Sequence, residues 1–218
     1  MSSSNIAKNN SNLVSPRKMP RQARARATVT RILDGTRKVL REQGADGVTT
    51  RSIAEASGIR TGSIYQYFPN KEAILFALYG NRMEETVLAL NGLMTPKNLQ
   101  LSLADFWGVF DNVVQTELKW GQPEDVELDK AMGENPALID ANAKVLHELY
   151  QSVVKLLTHY GSTWSEHRLL ELADYIYRLN HFGYTMRIRQ TKDRQQSTRK
   201  FTFKAIIHLM EMAINEVD

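Results

Sequence analysis

The segment Val48-Thr49-Thr50-Arg51-Ser52-Ile53-Ala54-Glu55-Ala56-Ser57-Gly58-Ile59-Arg60-Thr61-Gly62-Ser63-Ile64-Tyr65-Gln66-Tyr67-Phe68 decides the fold. It reads as two short helices joined by a sharp turn at Gly58, where glycine takes a positive φ at no steric cost. Ala54 leaves room for the second helix to cross close by. Ile53, Ile59 and Ile64 are expected to point inward and fix the angle between the two helices. That is a helix-turn-helix, whose second helix enters the DNA major groove. An Ala-x-x-x-Gly spacing alone arises by chance in many helices, and the flanking residues are what make it specific.

Those flanks, Thr49-Thr50-Arg51-Ser52-Ile53-Ala54 and Gly62-Ser63-Ile64-Tyr65-Gln66-Tyr67-Phe68-Pro69-Asn70-Lys71-Glu72-Ala73-Ile74-Leu75, resemble the TetR family of transcriptional repressors. The resemblance covers residues 24–80, and nothing comparable extends over the remaining chain. It implies phosphate contacts at the positions of Thr50, Tyr67 and Lys71, and a guanine contact at Arg51. It also implies an all-α homodimer whose small-molecule effector releases it from DNA.

The chain has 218 residues, 42% of them hydrophobic, enough for a core, and no cysteine. Disulfides, thiolate metal sites and cysteine nucleophiles are thereby excluded, which suits a reducing cytoplasm. The polar start Met1-Ser2-Ser3-Ser4-Asn5 lacks an apolar signal core, and no apolar run reaches the ~18 residues of a membrane span. A cytoplasmic protein without a membrane partner is expected. The net charge of +4 is unevenly spread: residues 1–75 hold 13 of the 28 Lys and Arg but 5 of the 24 Asp and Glu. A basic head on an acidic body is the electrostatic form of a phosphate-binding module.

Residues 1–20, rich in Ser, Asn and Pro, read as a disordered basic arm. Such an arm either reaches a minor groove or remains a solvated tail. Residues 24–43 carry Val29, Ile32, Leu33, Thr36, Val39 and Leu40 at helical spacing, with Gly44 as the C-terminal cap. Thr49 caps the next helix, and Asn70 caps a fourth helix of about 20 residues, ~30 Å long. Further helices are expected over 101–119, 124–132, 137–160, 165–189 and 197–216, with breaks at Gly121-Gln122-Pro123 and Gly161-Ser162 and a polar loop over 192–196. No strand periodicity appears, so the fold class is all-α. The expected division is an arm over 1–20, a DNA-binding head over 21–70, and a ligand-binding and dimerisation domain over 71–218.

A recognition helix offers its N-terminal residues to base edges, here Thr61, Gly62, Ser63, Tyr65 and Gln66. Gln66 suits a bidentate pairing with adenine, and Gly62 lets the backbone come close. Thr49 and Arg60, beside the two helices, complete the DNA-facing set. Tyr67 reads equally as a phosphate donor or as core, and Phe68 reads as core. In the second domain Trp107, Phe110, Trp120, Met132 and Tyr150 are candidates for a ligand cavity. Tyr175, Arg178, His181, Phe182 and Met186 join them, against the plain alternative of ordinary core.

Enzyme chemistry finds no support. The five histidines show no i, i+4 metal pair, no phosphate-cradling glycine loop exists, and no G-x-S-x-G is present. No cofactor, metal or catalytic residue is expected. Apolar faces on the last two helices (Leu169, Leu172, Ile176, Leu179, Tyr184, Ile188; Phe201, Ala205, Ile206, Leu209, Met212, Ala213) exceed what one core needs, which points to a homodimer on a palindromic operator. The reading is a DNA-binding regulator, a repressor released by a small molecule. A constitutive or architectural DNA-binding protein without effector is the alternative.

Overall fold

A computed structural model describes residues 23–133, 136–188 and 190–217, so the arm expected over 1–20 lies outside the described residues. All regular structure there is helical: α1 Ala23–Gln43, α2 Thr50–Ser57, α3 Thr61–Tyr67, α4 Lys71–Leu93, α5 Leu103–Thr116, α6 Pro123–Gly133, α7 Pro136–His159, α8 Glu166–Ile188 and α9 Lys192–Asn215. The chain divides into two compact units, with boundaries after residues 82, 122 and 145 rather than at residue 70. Unit 1 holds residues up to Arg82 together with 123–145. Unit 2 holds 83–122 and 146–218. Helices α4 and α7 therefore carry residues of both.

Unit 1 is built on α1, whose Ile32, Leu33, Val39 and Leu40 are buried with Ile53 of α2, Ile64 of α3 and Ile74 and Leu78 of α4. Each such side chain contributes roughly 1.5–3 kcal/mol of burial. Ile59 departs from the expectation and is only half-buried, because it sits in the turn after Gly58 rather than on a helix face. Ala54 is half-buried. Helices α1 and α2 approach closely at Gly35 of α1, where a Cβ would stand 2.7 Å from Ser57 Cβ and 2.8 Å from Ser57 N. Helix α6 lies against α1. Arg41 pairs with Glu124, Glu127 Oε2 accepts from Ala45 N at 2.8 Å, and Arg82 Nη2 meets Asp125 Oδ2 at 2.7 Å. Head and α6 thus share one core, which places Met132 in unit 1.

In unit 2, α8 packs along α9. Gly183 permits the contact, since a Cβ there would lie 2.6 Å from Thr202 Oγ1. The turn at Gly161 (φ 96°) is tied to the end of α9: Ser162 Oγ donates to Ala213 O at 2.5 Å and Trp164 Nε1 to Glu216 O at 2.9 Å. The expected polar loop over 192–196 is instead the first turn and a half of α9. Lys, Arg and Gln are good helix formers, and Gln195 Nε2 donates to Arg187 O and Gln190 O, both at 3.0 Å, closing the end of α8. The expected break holds at Gly121 and Gln122, while Pro123 opens α6 as its first residue.

Candidate functional site

Local sequence sets the geometry of α2 and α3. Thr49, in extended conformation, accepts from Ser52 N while Ser52 Oγ accepts from Thr49 N at 2.9 Å, a reciprocal cap that starts α2. Gly58 ends it in the left-handed region at φ 66°, ψ 24°. Arg31 of α1 donates to the carbonyls of Ser57 (3.0 Å) and Gly58 (3.4 Å), a cation on the negative end of α2. Neither Arg31 nor Gly35 was singled out in the sequence, because their partners lie more than 20 residues away. A small residue and a basic one, one turn apart on α1, were the available signal.

The DNA-facing set falls into two groups. Thr49, Arg51, Arg60, Thr61, Gly62, Tyr65 and Gln66 are exposed, whereas Thr50, Ser63, Tyr67 and Lys71 are half-buried. Thr50 Oγ1 and Tyr65 Oη share a hydrogen bond of 3.2 Å, which brings α2 and α3 together at the surface. Arg51 pairs with Glu55 at 3.0 Å one turn along α2. Lys71 Nζ donates to Val48 O at 3.2 Å, and Asn70 Oδ1 accepts from Ala73 N at 2.8 Å to start α4. Phe68 is core at 1% exposure. Gly62 is open: an added Cβ would meet nothing within 4 Å.

Unit 2 encloses a cavity of ≈50 Å³. Trp107, Phe110, Trp120, Tyr150 and His181 line it, with Tyr177 and Tyr184 adding two further rings. Its polar lining is uncharged. Burial, reinforced by Arg178, lowers the His181 imidazole from its ordinary value, and burial pushes the Tyr184 phenol up to about 12. Tyr184 Oη accepts from Gln115 Nε2 at 2.6 Å. Behind the wall Asp174 would be raised by burial, but hydrogen bonds from Arg178 (2.7 Å) and Tyr150 (2.6 Å) hold it below its usual value.

Five other candidates stand elsewhere. Met132 is buried in α6, and Arg178 is exposed and paired with Asp174. Tyr175, Phe182 and Met186 are exposed along one face of α8.

With this geometry in place, the comparisons are specific. Residues 32–78 match the family described as bacterial regulatory proteins, tetR family. The head belongs to the TetR family. The HTH-type transcriptional repressor AcnR of Corynebacterium efficiens is 41% identical over 66 residues, 29% of this chain and 35% of AcnR. The chain thus spans about a third of the length of that curated relative. Two solved structures share the fold over nearly the whole chain. Salmonella enterica GusR has a TM-score of 0.66 at 16% identity, covering 87% of this chain and 96% of its own. The multidrug binding protein EbrR complexed with imidazole has a TM-score of 0.57 at 18% identity, covering 88% and 93%. At such identities they speak to fold alone. The TetR-family head and the all-α body are therefore established by separate observations.

Proposed function

We propose that this protein is a transcriptional repressor that binds double-stranded operator DNA as a homodimer in the cytoplasm and is released by a small-molecule effector. The TetR-family head over 32–78 carries this reading. Thr61, Gly62, Ser63, Tyr65 and Gln66 at the start of α3 face base edges, Thr50, Tyr67 and Lys71 hold the flanking phosphates, Arg51 reaches a guanine, and Thr49 and Arg60 complete the DNA-facing set. The residues from 71 onward supply effector binding and dimerisation. Helix α4, with residues in both units, is the continuous chain segment through which an effector changes DNA affinity. The effector must favour the released state, with a coupling of typically ~1–3 kcal/mol.

The dimer reading rests on exposed apolar residues. Tyr175, Phe182 and Met186 recur at helical spacing on α8, and Phe201 of α9 is 70% exposed. One observation favours the constitutive alternative: a ≈50 Å³ cavity is far below the ~300 Å³ of ordinary ligand pockets.

Gln66→Ala tests the head. On the selected operator it should relax preference at one symmetric base pair while leaving affinity for random DNA unchanged. An unchanged preference at every base pair would remove Gln66 from base reading. If the parent protein itself shows no preference, the repressor reading fails.

A further inference from the structure

Beside the aromatic cavity, unit 2 contains a larger cleft of ≈510 Å³. Its charged lining is Arg187 at the end of α8 and Lys192 and Arg199 of α9, accompanied by glutamines, and among the described residues no carboxylate lines it. Arg199 is compensated from behind by Asp111, whose Oδ2 accepts at 3.0 and 2.5 Å. Among the described residues that line the cleft, none is a carboxylate facing Arg187 or Lys192.

Cleft and cavity share a wall one ring thick. Trp120 lines both. Tyr184 lines the cavity, and Gln115 and Arg187 of the cleft touch it, the first at its hydroxyl and the second over its ring at 4.4 Å. The Trp120 and Tyr184 rings are 6.0 Å apart. The loop that carries Trp120 is held by left-handed residues on either side, Lys119 at φ 52° and Gly121 at φ 88°. A left-handed φ is uncommon for a lysine.

We propose that cleft and cavity are two halves of one site for a flat apolar ring bearing a carboxylate, the ring entering past Trp120 and the carboxylate held by Arg187 and Lys192. This rests on the reading of unit 2 as the effector-binding unit. The volumes require both halves. A cavity of ≈50 Å³ is smaller than the ~150 Å³ that accommodates benzene, so a ring fits only when Trp120 swings and joins the two spaces. The two cations of the cleft select the charge of the head group. Guanidinium and ammonium donors bind a carboxylate through charge-assisted hydrogen bonds. A cationic ligand would face the same two groups with the wrong sign, and a neutral one would accept only the weaker, uncompensated hydrogen bonds from them.

Calorimetric titration of the full chain with phenylacetate, 2-phenylethanol and 2-phenylethylammonium presents one ring with three heads. Phenylacetate should bind at least about tenfold tighter than the alcohol, and the ammonium weakest. Lys192→Met alters an exposed side chain, and Arg187→Gln is a second, independent variant. Each should narrow the acid–alcohol ratio while melting like the parent. Alcohol binding as tight as the acid, ammonium binding tightest, a ratio that survives both variants, or no heat from phenylacetate at millimolar concentration would overturn the proposal.

Operator affinity measured with the same three probes separates this proposal from the effector reading beneath it. Acid-selective binding that leaves operator affinity unchanged keeps the site and removes the effector role. Release of DNA by the alcohol or the ammonium alone keeps the effector role and removes the carboxylate site.

Discussion

Gly62 has no neighbour in the protein that requires glycine: its φ is not left-handed and a Cβ there would stand in open space. Within a helix, glycine is less stable than alanine by roughly 0.5–1 kcal/mol. On the proposed function, its place at the start of α3 is accounted for by the close approach of DNA. Gly62→Ala should leave the melting temperature unchanged or higher and weaken operator binding by roughly 1–3 kcal/mol, the scale of one lost base contact. Lower thermal stability with unchanged DNA affinity would place its role in the fold instead. At this scale the sequence was legible where roles are local. Thr49 caps α2, Gly58 ends it and Phe68 is core, because each is decided within a few residues. Gly35 and Arg31 were not legible, since their partners at Ser57 and Gly58 are distant in sequence.

The crossing of α1 and α2 is a property of elements. Gly35→Ala would press a methyl group against Ser57 backbone and side chain, and that cost is typically 1–3 kcal/mol. Chemical denaturation should show that loss, and normal stability would show that the crossing has slack. Helix α6 adds a pH dependence to unit 1. Burial, with the Asp125 carboxylate nearby and against the pull of Arg82, raises the Asp129 carboxyl from 3.8 to about 7. In that window the folded chain holds a proton that the unfolded chain has lost, so stability falls as pH rises from about 4 to about 7 and is level above. Asp129→Asn should therefore gain melting temperature relative to the parent between pH 5 and pH 8, and a constant difference would contradict the shift. Helix existence followed from periodicity, whereas the start of α9 did not, because a polar run has no apolar period to read. The amides of that run close α8, which only the packed helices reveal.

For the whole molecule, the residues expected in the cavity did not stay together. Five line it, while Tyr175, Phe182 and Met186 form an exposed face on α8. Aromatic residues read the same way in sequence whether they fill a cavity or cover a partner, so only their packing distinguishes them. Phe182→Glu with Phe201→Glu changes side chains that are 60% and 70% exposed, so the fold should persist. Light scattering should then give 24.9 kDa in place of twice that mass, with operator binding lost. A double variant that remains dimeric would move the interface elsewhere.

Operator recognition by the TetR-family head is tested most directly by titrating the full chain against its best palindromic genomic fragment and a scrambled duplex of equal length, between about 50 and 200 mM salt. A preference of at least ~10³ for the palindrome, with both affinities falling steeply as salt rises, is the expected result. Equal affinity for the two duplexes at every salt concentration would contradict it.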